Sequence, residues 1–421
     1  MVGGWPYGIE DLVGKAGYGG AILILLITPA LWAFPTALMV SELSSALPEE
    51  GGFYIWAKRG LGRFWGFQEA WLSLMGSIFD MALYPTLFLA YLGHFAPAVT
   101  AGWHGIAIGV GLIAAAALWN MLGAKTVGGS SVAMGVVLLA PFVALSCYAV
   151  WHRVSAGAAD PPAPRHIDFL GGILLMMWNY MGWDNASTVA GEVRRPQRTY
   201  PLAMAGAVSL VTLNYALPIA AVWLTRLDPN RWSTGGWADV ARAAIGSGTA
   251  GTAVAIGITI GGMLAALGTL NALTLSYSRV PFAMAEDRLM PQIFKRRLAR
   301  NAVPWVAVVG CATCWALCLG LSFAKLLMLD VLLTGLSILL EFASLVGLRI
   351  REPKLARPYR VPGGLAGAVA VGVAPAVLLV LTAVRTEAEP VGPLNALELG
   401  AILIGCGVVA YFIGERIRKP S

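Results

Sequence analysis

The feature that most limits what this chain can become is a near-unbroken succession of long apolar runs. A helix needs about 20 apolar residues to cross about 30 Å of hydrocarbon. Runs of that order occupy residues 21–47, 67–92, 105–122, 132–150, 169–191, 202–225, 249–285, 303–321, 326–348, 364–383 and 394–413, and a short amphipathic piece at 7–16 precedes them. Mean hydropathy is +0.72. Hydrophobic residues make up 58% of the chain and charged residues 12%, against about 25% charged in soluble domains. No water-soluble core could absorb that apolar surface, whereas lipid can. The chain is therefore expected to be an all-α integral membrane protein, a single transmembrane domain over residues 1–421.

Charge sets the expected orientation. Lys58/Arg59/Arg63, Lys125, Arg194/Arg195/Arg198, Arg288/Lys295/Arg296/Arg297/Arg300, Arg349/Arg351/Lys354/Arg357/Arg360 and Arg416/Arg418/Lys419 fall on one side of the membrane. The other side holds the fewer Lys15, Arg153, Arg165, Arg226, Arg231, Arg242, Lys325 and Arg385. Basic residues gather on the cytoplasmic side, so a multi-pass protein of the cell membrane with a cytoplasmic C-terminus is expected. The net charge of +7 reflects topology, and no nucleic acid or partner subunit is inferred. No cleavable signal pattern follows Met1. The cysteines lie inside spans, with Cys311, Cys314 and Cys318 forming a small-residue stripe suited to helix packing. The histidines His94, His104, His152 and His166 are scattered, so neither a metal nor a cofactor is expected.

Two segments break the helical pattern: Gly3-Gly4-Trp5-Pro6-Tyr7-Gly8-Ile9-Glu10, and Trp178-Asn179-Tyr180-Met181-Gly182-Trp183-Asp184-Asn185-Ala186-Ser187. Glycine and proline both oppose helix interiors, so each reads as unwound backbone followed by a half-helix. Such backbone is tolerated at membrane depth only where protein or a water-filled cavity satisfies it. Breaks at corresponding positions in two halves of a chain point to a transporter site built on inverted repeats. The first break falls in the first helix and the second in the sixth, which is the spacing of a five-plus-five repeat. Residues 1–150 would form repeat one, 167–350 repeat two, and 364–413 two additional helices. This makes twelve helices with the first half-helix missing. A chain start further upstream, supplying about twenty more apolar residues, is the expectation.

A carboxylate at bilayer depth costs about 2.5–3.5 kcal/mol on insertion scales and defaults to a functional role. Asp80 lies mid-helix with Tyr84 four residues on, Asp184 lies in the second break, and Glu10 lies one turn into the first half-helix. No lysine or arginine falls at comparable depth. Converging unpaired carboxylates attract a cation, which suits an amine substrate, a proton relay, or both. Glu10 also suits helix N-terminal capping. Asp330 and Glu341 read as gating or packing charges in the tenth helix.

Four motifs in order carry a resemblance. Ser41-Glu42-Leu43 with Pro48-Glu49-Glu50-Gly51-Gly52-Phe53-Tyr54, and Trp178-x3-Gly182-x-Asp184-x-Ala186-Ser187 running on to Glu192 and Pro196-Gln197-Arg198, come first. Ser278-Arg279-x3-Ala283-x-Ala285-x-Asp287 and Arg349-x-Arg351-Glu352-Pro353 through Gly363-Gly364 follow. Together these resemble the amino acid–polyamine–organocation transporter family. The first break and Asp80-x-Ala82-Leu83-Tyr84-Pro85 look most like its plant polyamine uptake branch. The resemblance implies a LeuT-like fold, alternating access, and substrate held between helices 1, 3, 6 and 8. It further implies that Trp178 matches an aromatic closing over substrate and Asp184 an acidic position linked to pH response. Two departures matter. Gly3-Gly4-Trp5-Pro6 is bulkier than the small-residue break that grips an amino acid carboxylate, which favours a carboxylate-free amine. Ser130-Ser131-Val132-Ala133-Met134-Gly135 lacks the lysine many members carry in helix 5, and the helix 8 hydroxyls of Thr269, Thr274 and Ser276 are weak candidates for sodium.

The expected function is a secondary transporter for organic cations, polyamines first, coupled to protons. An amino acid permease or exchanger of the same fold is the alternative. Gly3, Gly4 and Gly182 would let backbone approach substrate, and Trp178 and Tyr84 would offer cation–π faces. Asp80, Asp184 and Glu10 would neutralise amines or carry the proton. The expected partners are this small-molecule substrate, a coupling proton and membrane lipid. An intramembrane enzyme would need a nucleophile–base or metal cluster, and a channel a repeated filter or ring of charge. The sequence contains neither pattern.

Overall fold

The computed structural model describes residues 5–49, 51–123, 131–155, 167–193, 195–386 and 390–418. Gly3 and Gly4 lie outside the described residues, as do Glu50, Lys125, Ser130, Arg165, His166, Arg194 and Lys419. The helices, in chain order, are α1 (Asp11–Thr28), α2 (Phe34–Ala46), α3 (Gly52–Gly60), α4 (Arg63–Leu92), α5 (Gly102–Asn120), α6 (Ser131–Ser155) and α7 (Phe169–Asn179). After a 3-10 segment at Asp184–Glu192 come α8 (Pro196–Trp223), α9 (Trp237–Ile245), α10 (Thr249–Tyr277) and α11 (Arg279–Glu286). The series closes with α12 (Trp305–Ala316), α13 (Phe323–Arg351), α14 (Gly364–Thr386) and α15 (Ala396–Arg418), the last preceded by a two-residue hairpin pairing.

Among the described residues, eight helices are long and apolar enough to cross a membrane, and Leu138–Trp151 and Trp305–Ala316 are shorter apolar helices. The amphipathic piece and the first long run form one path, Asp11–Ala46. Its direction changes at Gly17 (φ 66°) and through a π-turn at Pro29–Ala33. The run at 169–191 is divided, as its sequence predicts, because α7 ends at Asn179 and the chain unwinds through Gly182. At φ 90°, Gly182 occupies the left-handed region where a side chain would be strained.

The centre of the molecule is the pairing of α4 with α13, flanked by α10 on α4 and by α14 on α13. Gly76 makes the central pairing possible, since a Cβ there would run into Thr334. Around this core, α1 lies on α7 and α2 on α8.

The end of the molecule that carries the basic clusters is tied by ion pairs. Arg349 grips buried Glu42 with two bonds, Nε to Oε1 at 3.0 Å and Nη2 to Oε2 at 2.5 Å. Arg357 approaches the same carboxylate at 3.3 Å, and the Val361 N–H donates to it at 2.6 Å. Arg59 makes a second fork onto Glu352, both bonds 2.7 Å. Lys58 and Tyr54 of α3 both donate to Asp287, just beyond α11, at 2.5 Å.

Candidate functional site

The two unwound segments meet over the α4–α13 core and enclose a cavity of about 630 Å³, counting its opening. Trp5 and Tyr7 of the first segment line it, as do Trp178, Asn179, Met181, Gly182 and Asn185 of the second. Asp80, Tyr84 and Leu87 come from α4, Thr269, Leu273 and Tyr277 from α10 with two alanines, and Asp330 and Thr334 from α13.

Neighbouring side chains make the unwound backbone possible by occupying its freed carbonyls. Trp237 Nε1 of α9 donates to Pro6 O at 2.6 Å. In the second segment, Tyr215 donates to Asn179 O at 3.2 Å, Tyr200 to Ala186 O at 2.6 Å, and Ser276 to Asn185 O at 3.1 Å. An unsatisfied carbonyl in hydrocarbon would cost several kcal/mol, so these donors hold both breaks open.

Asp80 sits where these elements converge. Its Oδ1 accepts from Tyr84 OH at 3.0 Å and from Trp178 Nε1 at 3.1 Å, and its Oδ2 accepts from Tyr277 OH at 3.2 Å. The donors come from α4, α7 and α10, so one carboxylate ties three helices together. Asp330 is the second carboxylate of the cavity, accepting from Thr334 Oγ1 at 2.7 Å. Among the described residues, no lysine or arginine lines the cavity. The Trp178 ring lies 6.1 Å from Tyr84, tilted 35°, and 5.5 Å from Phe323, edge-on.

Of the residues singled out from sequence, Asp80, Tyr84, Trp178 and Gly182 line this cavity together. Asp184 lies just behind it, buried, with Oδ1 unpartnered. Glu10 is fully buried and set apart from the lining. Tyr91 donates to its Oε1, and its Oε2 is unpartnered. Asp330, read from sequence as a gating or packing charge, is part of the cavity wall. Thr274 and Thr269 spend their hydroxyls on carbonyls of their own helix, at Leu270 and Ala265, and Ser276 bonds Asn185. Among the described residues, no group of three His, Cys, Asp or Glu is placed to hold a metal ion. Tyr277 is not singled out by sequence, because an aromatic in an apolar helix has the signature of packing. Its position seven residues after Leu270, on the face that also carries Leu273, was the available signal.

Comparison with known proteins places this geometry. A model of the family described as amino acid permease matches residues 1–404. The rice polyamine transporter PUT1 is 34% identical over 96% of this chain and 75% of its own length. The Arabidopsis thaliana polyamine transporter RMV1 is 31% identical over 96% of this chain and 82% of its own. The serine/threonine exchanger SteT of Bacillus subtilis is 26% identical over 77% of this chain and 74% of its own. Among solved structures, MhsT in complex with L-phenylalanine superposes with a TM-score of 0.58, covering 98% of this chain and 96% of MhsT. At 14% identity that likeness speaks to the fold, which is the LeuT-like arrangement the resemblance implied.

Proposed function

The chain belongs to the amino acid permease family and is a multi-pass membrane transporter, and from that premise we propose that it moves organic cations, polyamines above all, by alternating access coupled to protons. The observation that carries this reading is a pair of carboxylates, Asp80 and Asp330, in one aromatic-walled cavity with no lysine or arginine among its described lining residues. A dication satisfies two such charges at once, whereas an amino acid brings a carboxylate of its own that the cavity has no cation to meet. The names of PUT1 and RMV1 support the same substrate class.

In this reading the amines of the substrate replace the donors now on Asp80 and compete with Thr334 for Asp330. Trp178 and Tyr84 supply cation–π faces, worth about 0.5–2 kcal/mol each. Gly182, with Gly3 and Gly4 in the first break, lets backbone approach the substrate. Asp80, Asp184 and Glu10 are the candidate proton carriers. Residues 1–150 and 167–350 act as the two repeats, with 364–413 behind them. The basic face and the C-terminus lie in the cytoplasm, with the protein in the cell membrane.

The test is the thermal stability of purified protein with putrescine, spermidine, arginine or leucine. A ligand at 100 times its Kd stabilises by about 2.7 kcal/mol, a readable shift. Stabilisation by the polyamines is the expected result. Stabilisation by leucine or arginine instead would transfer the case to an amino acid carrier.

A further inference from the structure

Two pairs of carboxylates face each other across the α4–α13 core, and the cavity contains only one of them. Asp80 and Asp330 line it, whereas Glu69 and Glu341 are fully buried and lie outside its lining. Glu69 is eleven residues before Asp80 on α4, and Glu341 eleven after Asp330 on α13. Eleven residues are about three turns, or about 16 Å, and return to the same helix face. Both glutamates are therefore displaced in the same direction, toward the basic end.

Ser337 joins the second pair. Its hydroxyl donates to Glu69 Oε1 at 2.7 Å, and Glu341 lies one turn further along the same face of α13. Glu69 Oε2 and both carboxyl oxygens of Glu341 have no partner. Asp184 stands between Gly182 and Asn185 of the cavity wall and is itself buried, with Oδ1 unpartnered. The other groups packed nearby are accounted for. Tyr54 of α3 donates to Asp287. Glu42 of α2 is held by Arg349 and Arg357, and Glu415 of α15 by Arg63. The sequence of α7 contains no ionisable residue. No ion pair reaches Glu69 or Glu341 among the described residues.

A buried carboxylate with no cation beside it is disfavoured as an anion, because the loss of hydration is uncompensated. These oxygens lack the grouping that would hold a metal ion among the described residues, and they lie outside the lining of the cavity. We propose that Glu69, held by Ser337, and Glu341, one turn along the same face, hold the proton of the transport cycle, and that Asp184 joins them to the cavity. A proton entering from cavity water reaches Glu341 by way of Asp184 and converts its carboxylate to a carboxyl. It leaves to water on the basic side when that face opens, and the carboxylate is restored.

This inference rests on the proton-coupled reading above, and the test separates the two. Wild type, Glu69→Gln, Glu341→Gln and the double variant are reconstituted in vesicles. Labelled spermidine is followed as exchange against internal spermidine, and as uptake under an inward proton gradient. The glutamine variants mimic the protonated state, so they are expected to keep exchange and lose stimulation by the gradient. Glutamine variants stimulated as strongly as wild type would overturn the site and leave the coupling intact. A wild type indifferent to the gradient would overturn the coupled reading, and the site with it. Should the glutamine variants not fold, Ser337→Ala decides. Removing the hydroxyl that stabilises the Glu69 anion moves half-maximal uptake toward alkaline pH, and an unmoved profile would overturn the proposal.

Discussion

At the scale of single residues, Asp80 and Asp330 differ in how they meet a cation. Asp80 already accepts from Tyr84, Trp178 and Tyr277, so on the proposed reading an arriving amine would exchange with donors in place. Asp330 has one internal donor, Thr334, and more capacity to spare. A hydrogen bond to a charged group contributes about 1.5–3 kcal/mol. Asp330→Asn should therefore weaken spermidine binding about tenfold to a hundredfold, at about 1.4 kcal/mol per decade, and isothermal titration would measure it. Unchanged affinity would remove Asp330 from the substrate's path. Sequence alone gives the depth of each acid along its helix but not the direction it faces. For that reason Asp80 and Asp330, chemically alike, read as a binding group and a packing charge until the α4–α13 pairing placed both on one cavity.

At the scale of elements, the basic end is organised around Glu42 at the end of α2. With Glu42 buried and gripped by Arg349, removal of the arginine leaves a carboxylate that Arg357 meets only partly. Breaking a buried pair costs about 3–5 kcal/mol, so Arg349→Ala should destabilise by about 3 kcal/mol, read from thermal unfolding in detergent. Arg349→Lys keeps the charge but loses the fork and should fall between the two. A loss within error for the alanine variant would mean that Arg357 suffices. The helices themselves were largely legible, since lipid imposes length and apolarity on each span. The breaks were legible too, because Gly182 with the polar Asp184-Asn185 cannot continue an apolar helix. What composition hid was the short α3, and the continuity of Asp11–Ala46 through Gly17 and Pro29. Both depend on neighbours: α3 packs on α4 and α13, and the kinked path follows α7 and α8.

At the scale of the whole molecule, the ion pairs close one end while the cavity sits between that end and the Trp178–Phe323 contact. Burial works against the charge on Asp287, but Lys58 and Tyr54 outweigh it and hold the carboxyl below its ordinary value. Arg59 does the same for Glu352. A depressed carboxylate stabilises the fold above its unfolded value, about 3.9 for Asp, and that contribution is lost as pH falls through the folded value. The drop in melting temperature caused by Asp287→Asn should therefore stay constant from pH 7.5 to 5.5 and shrink only in stronger acid, below about pH 4. A drop that already shrinks by pH 5.5 would contradict this. It follows that this closure is not a source of pH response in the physiological range.

The three donors on Asp80 have one more consequence. Because they belong to α4, α7 and α10, the Asp80 carboxylate holds these three helices to one another. A neutral molecule of the right shape offers the carboxylate nothing better than the hydroxyls and indole it already has. On the proposed reading an ammonium does, and in taking the carboxylate it would release α7 and α10 from α4 together. On that reading the same exchange of bonds that recognises the cargo would unlock the machine, so selectivity and motion would rest on one side chain.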